Sequence, residues 1–176
     1  LLADPFIRFF LTNKWEPAII LVEWLCFARI FTPISSINMN ILNAVGRSDL
    51  FLKVDLSKAP LIIIVLVITI PMGLKAIVIG NVITSTIAFL INTYMPGKLF
   101  GYGAIKQLKD MIPVFLATGL MAVSVYVSIS FTESLILKLI LGSLVGIIIY
   151  GIISHFLKIE ETKEIKNVLK SLLQKN

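Results

Sequence analysis

Residues 134–157 read SLILKLILGSLVGIIIYGIISHFL. Lys138 is the one formal charge in this stretch, and the run is long enough to cross a hydrocarbon core, which takes about 20 residues as a helix. Four more stretches of the same kind lie upstream, at about 17–43, 50–71, 74–94 and 111–130. Their boundaries carry helix-breaking residues. Pro71-Met-Gly73 separates the second from the third, Pro96-Gly97 closes the third, and Phe131-Thr-Glu-Ser134 is a short turn before the last. Pro113 falls in the first turn of the fourth, where a missing N–H is harmless. Helices satisfy their own backbone in lipid, and these runs are too long and too evenly apolar for barrel strands. The expectation is an all-α membrane protein with about five transmembrane helices within residues 1–157, followed by a cytoplasmic amphipathic tail helix over 158–176. A second, shorter interfacial segment is expected at 99–110, where Lys106 and Lys109 stand among apolar residues.

Composition agrees with this reading. Of 176 residues, 57% are apolar and 15% charged, with a mean hydropathy of +0.96, outside the range of soluble domains. One cysteine, Cys26, and one histidine, His155, leave no thiol–imidazole metal set and no nucleophile–base pair. No phosphate-binding loop of the GxxxxGK[ST] type occurs, and Gly101-Tyr-Gly103 is no dinucleotide fingerprint. The basic residues form no aromatic-interleaved soluble face for nucleic acid. The expectation is therefore no enzyme, no cofactor and no metal. The chain opens LLADPFIRFF, without methionine or signal-peptide pattern, and reads as a C-terminal piece of something longer.

The basic residues give the orientation. Arg47, Lys53, Lys58, Lys98, Lys106, Lys109, Lys158, Lys163, Lys166, Lys170 and Lys175 fall on one side. Arg8, Lys14, Lys75 and Lys138 fall on the other. Lys and Arg accumulate on the cytoplasmic side, so the C-terminus is expected in the cytoplasm and the N-terminal segment outside.

Arg29 belongs to neither set, because it lies halfway along 17–43. A charge at bilayer depth is costly and normally faces a bundle interior or a wet cavity. Arg29, Pro33, Ser36, Asn40, Asn43 and Arg47 follow one another at steps of 4, 3, 4, 3 and 4, which puts them on one stripe of a continuous helix kinked at Pro33. Such a stripe suits a cavity wall, with Arg29, Ser36, Asn40 and Asn43 as substrate-binding candidates. The alternatives are amide pairing between helices for Asn40 and Asn43, and a structural salt bridge for Arg29 with Glu23 or an acid elsewhere. Glu23, six residues away, points to a different side of the helix. A weaker stripe of Asn81, Ser85 and Asn92 on the third helix reads as helix packing or a second cavity wall. Gly142 and Gly146 give a GxxxG spacing that permits close helix approach.

Asn38-Met-Asn40-Ile-Leu-Asn43-Ala-Val-Gly46-Arg47-Ser48-Asp49-Leu50-Phe51-Leu52-Lys53, then Ile70-Pro71-Met-Gly73-Leu-Lys-Ala76, Ile91-Asn92-Thr-Tyr94 and Gly97-Lys98-Leu99-Phe100-Gly101-Tyr102 resemble the C-terminal part of bacterial polysaccharide flippases. These transport O-antigen and capsule repeat units and belong to the multidrug/oligosaccharidyl-lipid/polysaccharide exporter superfamily. The Gly-Arg-Ser-Asp loop carries most of the resemblance. It implies a twelve-helix, two-lobe transporter with a central cavity. This chain would supply the last five helices, and an N-terminal lobe outside the sequence would be its partner. It further implies alternating-access translocation of an undecaprenyl-pyrophosphate-linked oligosaccharide across the bacterial inner membrane, with the chain multi-pass among the lipids. A diphosphate suits Arg and sugar hydroxyls suit Asn and Ser, as on the Arg29 stripe. Arg47, Asp49 and Lys53, in the family-like loop, would hold the cytoplasmic end by ion pairs or meet the substrate on entry, with Asn81 and Ser85 as a secondary wall. The competing readings are a multidrug or cation antiporter of the same superfamily, which would need carboxylates at mid-depth, and a non-transporting structural subunit. A membrane polymerase or ligase would need a large outer loop, and the turns here are short.

Overall fold

The computed structural model describes residues 1–157, so the tail helix expected at 158–176 lies outside the described residues. Among the described residues all regular structure is helical. In chain order the helices are α1 (Ala3–Leu11), α2 (Ala18–Ala28), α3 (Thr32–Ala44), α4 (Ser48–Thr69), α5 (Leu74–Phe100), α6 (Ala104–Ser130) and α7 (Leu135–Phe156). Single 3₁₀ turns lie at Asn13–Trp15 and Ile70–Met72. Among the described residues, four segments are long and apolar enough to cross a membrane: Ala18–Ala44 (α2 and α3 together), Leu74–Phe100, Ala104–Ser130 and Leu135–Phe156. The protein thus has the make-up of a multi-pass membrane protein. The fifth expected span, at 50–71, corresponds to α4, whose first half carries Lys53, Asp55 and Lys58 and is too charged to count with the other four.

The chain divides into two compact units. The larger spans residues 14–109. Here α5 is the central helix, with α2, α3 and α4 packed along it. The expected continuous helix over 17–43 is broken at residues 29–31. Pro33 has no N–H to offer the Arg29 carbonyl, and its ring excludes a straight α-turn there. The Arg29 carbonyl instead accepts from Thr32 N–H at 3.1 Å, an i to i+3 bond, and α3 restarts with Pro33 in its first turn. Phe31, at the break, stacks on buried Phe89 of α5 with ring centroids 4.7 Å apart. α3 ends on Gly46, whose φ of +75° is open to glycine and strained for other residues. Arg47 N–H reaches back to the Leu42 carbonyl at 2.9 Å and Gly46 N–H to Asn43 at 2.9 Å, the paired bonds of a Schellman end. Met39 and Leu42 of α3 then pack on Leu50 and Val54 of α4, with Ile91 and Met95 of α5 closing the cluster.

Gly80 of α5 is where α4 comes closest. A Cβ there would lie 2.8 Å from Val65 Cγ1 and 2.9 Å from Thr69 Cγ2. Both neighbours are β-branched and stiff in a helix. Gly80→Ala is expected to cost about 1–3 kcal/mol by overpacking, although alanine is the better helix former. Gly119→Ala, on α6 with nothing within 4 Å, is expected to be neutral or mildly stabilising. Thermal unfolding of the two variants in detergent tests the contrast; equal melting temperatures would refute it.

The smaller unit comprises residues 1–13 and, among the described residues, 110–157. α1 packs against α7. The GxxxG pair is occupied within this unit: Gly142 faces Leu2 and Ile129, and Gly146 faces Val125 and Met121. α6 begins at Ala104, earlier than expected, so Pro113 is an interior residue and removes the bond to the Lys109 carbonyl. Likewise α5 runs through Pro96 to Phe100, where Gly101 ends it. The segment expected to lie at the interface, 99–110, is the end of α5, a short turn and the start of α6.

Candidate functional site

The polar residues of the larger unit meet where α3, α4 and α5 converge. A cavity of about 400 Å³ opens there, lined by Ser36 and Asn40 of α3, Lys58 of α4, and Ser85 and Asn92 of α5, with Phe31 and Phe51 among its apolar walls. A second cavity of about 480 Å³ continues between α4 and α5, lined by Asp55, Asn81 and Thr84 and by Ile62, Val65 and Ile77. Lys58, Ser85 and Ala88 border both.

The helices set the depth of this site. Lys58 stands ten residues into α4, about 15 Å along its axis. Phe31 is the midpoint of Ala18–Ala44, and Ala88 lies one residue past the midpoint of Leu74–Phe100. All three residues line the first cavity. The cavity therefore begins near the middle of these helices and extends toward Asn40, four residues from the end of α3.

Lys58 is the most constrained charge. Its side chain is 11% exposed, and its ammonium lies 2.9 Å from Asp55 Oδ1, one turn back on α4. Asp55 is 59% exposed and lies inside α4. A carboxylate in that position needs water or a protein partner on its open side. Asn92 is 4% exposed, and its Oδ1 accepts no hydrogen bond. A buried amide oxygen without a donor costs about 1–3 kcal/mol, so a donor entering the cavity would relieve that cost. Ser85 Oγ donates to Asn81 Oδ1 at 3.4 Å and links the two cavity walls on α5.

Of the first-stripe candidates, Ser36 and Asn40 line the cavity together with Ser85. Ser36 Oγ donates to the Thr32 carbonyl at 3.0 Å. Arg29 does not line either cavity. It is exposed at the end of α2 and pairs neither with Glu23 nor with any other acid among the described residues. Asn43 accepts from Ser48 Oγ at 3.3 Å and closes the α3–α4 turn. Arg47 is off the stripe, because the left-handed Gly46 ends the helix before it. Its Nε and Nη2 donate to Asp49 at 3.0 and 3.1 Å. That side-chain hydrogen bond is the main cause of a lowered Asp49 pKa and a raised Arg47 pKa. Both groups are exposed, so the pair orders the turn and adds little stability. Lys53 is exposed and borders a separate apolar groove with Val54 and Tyr94.

Lys58 completes the cavity beyond the expected residues, while Asn92 belongs to the weaker stripe read as helix packing or a second cavity wall. Lys58 had a signal: it falls inside the expected span 50–71, and α4, which starts at Ser48, puts it near a helix midpoint. Asn92 shares the spacing of Asn81 and Ser85, but its unpartnered oxygen is a tertiary property. Among the described residues no cluster of His, Cys, Asp or Glu could hold a metal. No family model, curated protein or solved structure matches the chain.

Proposed function

We propose that the chain is part of a transporter that moves an undecaprenyl-pyrophosphate-linked oligosaccharide across the bacterial inner membrane by alternating access, working with an N-terminal lobe outside this sequence. The observation that supports this most is the mid-helix cavity lined by Lys58, whose side chain is largely shielded, together with Ser36, Asn40, Ser85 and Asn92. A cation beside several neutral donors and acceptors matches a phosphate-bearing, hydroxyl-rich head group. The apolar stretch of the neighbouring cavity, Ile62, Val65 and Ile77, offers a surface to a lipid chain. On this reading the C-terminus is cytoplasmic.

The test is translocation by the full-length native protein in liposomes carrying a fluorescent lipid-linked oligosaccharide, read by access of an externally added lectin to the sugar. Lectin access should rise several-fold over protein-free vesicles. Access equal to that of protein-free vesicles would refute the proposal. The second reading, an antiporter, is favoured by Asp55 inside α4, paired with Lys58. It predicts proton-gradient-driven efflux of cationic dyes from the same vesicles and no effect on the lipid.

A further inference from the structure

At the opposite end of the larger unit from the α3–α4 turn, a pocket of about 510 Å³ is formed where the starts of α2 and α5 meet. Its walls are Pro17, Ala18 and Leu21 on one side and Met72 and Leu74 on the other. Lys14, Trp15 and Lys75 complete it. The two lysines are 61 positions apart in sequence and come from different elements, yet they border one concavity. Neither has an acidic partner among the described residues, whereas Arg8, before α2, is tied to Asp4 at 2.7 Å.

The level of this pocket is set by the helices that form it. The apolar spans Ala18–Ala44 and Leu74–Phe100 both begin at its walls, so it lies where hydrocarbon gives way to head groups. Trp15 is 53% exposed there, and an indole with its apolar body and polar N–H favours that boundary. Met72 and Leu74 are 69% and 68% exposed, an apolar surface continuous with the lipid-facing helices. A free inorganic anion would engage the two ammonium groups alone and leave this wall unused. A phospholipid would use both, with its phosphate between the lysines and its glycerol and upper chain on Leu21, Met72 and Leu74.

We infer that the pocket of Lys14, Trp15 and Lys75 binds an anionic phospholipid from the leaflet at the α2–α5 end. On the orientation expected from the basic residues this is the outer leaflet, where an excess of lysine has no role in setting topology. Bound lipid would clasp the starts of α2 and α5, and α5 carries the Ser85 and Asn92 wall of the cavity.

The test uses the full-length protein in detergent, with phosphatidylglycerol or phosphatidylcholine added and retained lipid counted by native mass spectrometry. Phosphatidylglycerol should be retained about tenfold better than phosphatidylcholine, as expected for two lysines near an anionic head group. Lys14→Gln with Lys75→Gln should abolish the preference, Lys138→Gln should preserve it, and millimolar inorganic phosphate should not displace the lipid. Equal retention of the two lipids would overturn the inference. So would preference surviving in the double variant, equal loss in Lys138→Gln, or displacement by phosphate. A second measurement does not depend on how the lysine variants fold. In a background where every tryptophan except Trp15 is replaced by phenylalanine, chain-brominated phosphatidylglycerol should quench Trp15 more strongly than brominated phosphatidylcholine, and equal quenching would overturn the inference.

Discussion

Lys58→Gln is expected to lower translocation of the lipid-linked substrate by about 10- to 100-fold, with the protein still inserted and folded. A charge-assisted hydrogen bond contributes about 1.5–3 kcal/mol, and each 1.4 kcal/mol is about a factor of ten. Lys58 is suited to supply such a bond because its ammonium has three donors and one carboxylate partner among the described residues, Asp55 at 2.9 Å. The fold should tolerate the change. Asp55 is 59% exposed, so removing the cation does not strand a fully buried charge. Lys98→Gln, at the exposed end of α5, removes the same charge from the same unit and should leave the rate unchanged. Lectin access in the vesicle assay measures both. Wild-type rates from Lys58→Gln would eliminate the central cavity as the substrate site. Asn92→Leu supplies an independent check, because it removes the unpartnered amide oxygen and should weaken binding without altering charge.

The second large effect concerns stability. Asn38 of α3 and Gln107 of α6 are 2% and 3% exposed and exchange two hydrogen bonds, Asn38 Nδ2 to Gln107 Oε1 at 2.8 Å and Gln107 Nε2 to Asn38 Oδ1 at 2.9 Å. Gln107 Nε2 also donates to the Tyr102 carbonyl at 3.0 Å, so one amide ties α3 to the start of α6 and to the α5–α6 turn. Asn38→Leu leaves a donor and an acceptor of Gln107 without their buried partner, at about 1–3 kcal/mol each. The single substitution is expected to cost roughly 2–4 kcal/mol. Asn38→Leu with Gln107→Leu removes both amides and should recover part of that loss, giving a coupling energy of about 1–3 kcal/mol. Denaturant unfolding of the four proteins in detergent yields the cycle. Additivity within about 0.5 kcal/mol would show that the two amides do not depend on each other.

Much of the helix pattern is legible in local residues. The ends of α4 and α7 lie close to their expected limits, because apolar runs and turn residues act over a few positions. Pro33 and Gly46 are equally local, though the physical outcome differs from a smooth stripe. Pro33 breaks the helix at residues 29–31, and Gly46 turns the chain left-handed before Arg47. A periodicity of three and four residues holds only while the helix is unbroken, so Arg29 and Arg47 leave the face that Ser36 and Asn40 keep. The charge-rich first half of α4 misleads for a related reason. Lys53 and Lys58 count among the basic residues of the cytoplasmic side, yet the helix runs through them and carries Lys58 to a cavity.

The sequence by itself determined that this chain is helical and belongs in a membrane, since 57% apolar residues gathered in runs of about 20 have no other stable arrangement. It also determined the Arg47–Asp49 turn, whose partners are two residues apart. Only the tertiary structure decided which polar groups meet. Asn38 finds Gln107 across 69 positions, Lys58 lines one cavity with residues of α3 and α5, and Lys14 joins Lys75 at one pocket. Helix periodicity states which face of its own helix a residue occupies. Which faces are brought together depends on how α2, α3 and α4 pack around α5, and that packing is set by contacts no single helix contains.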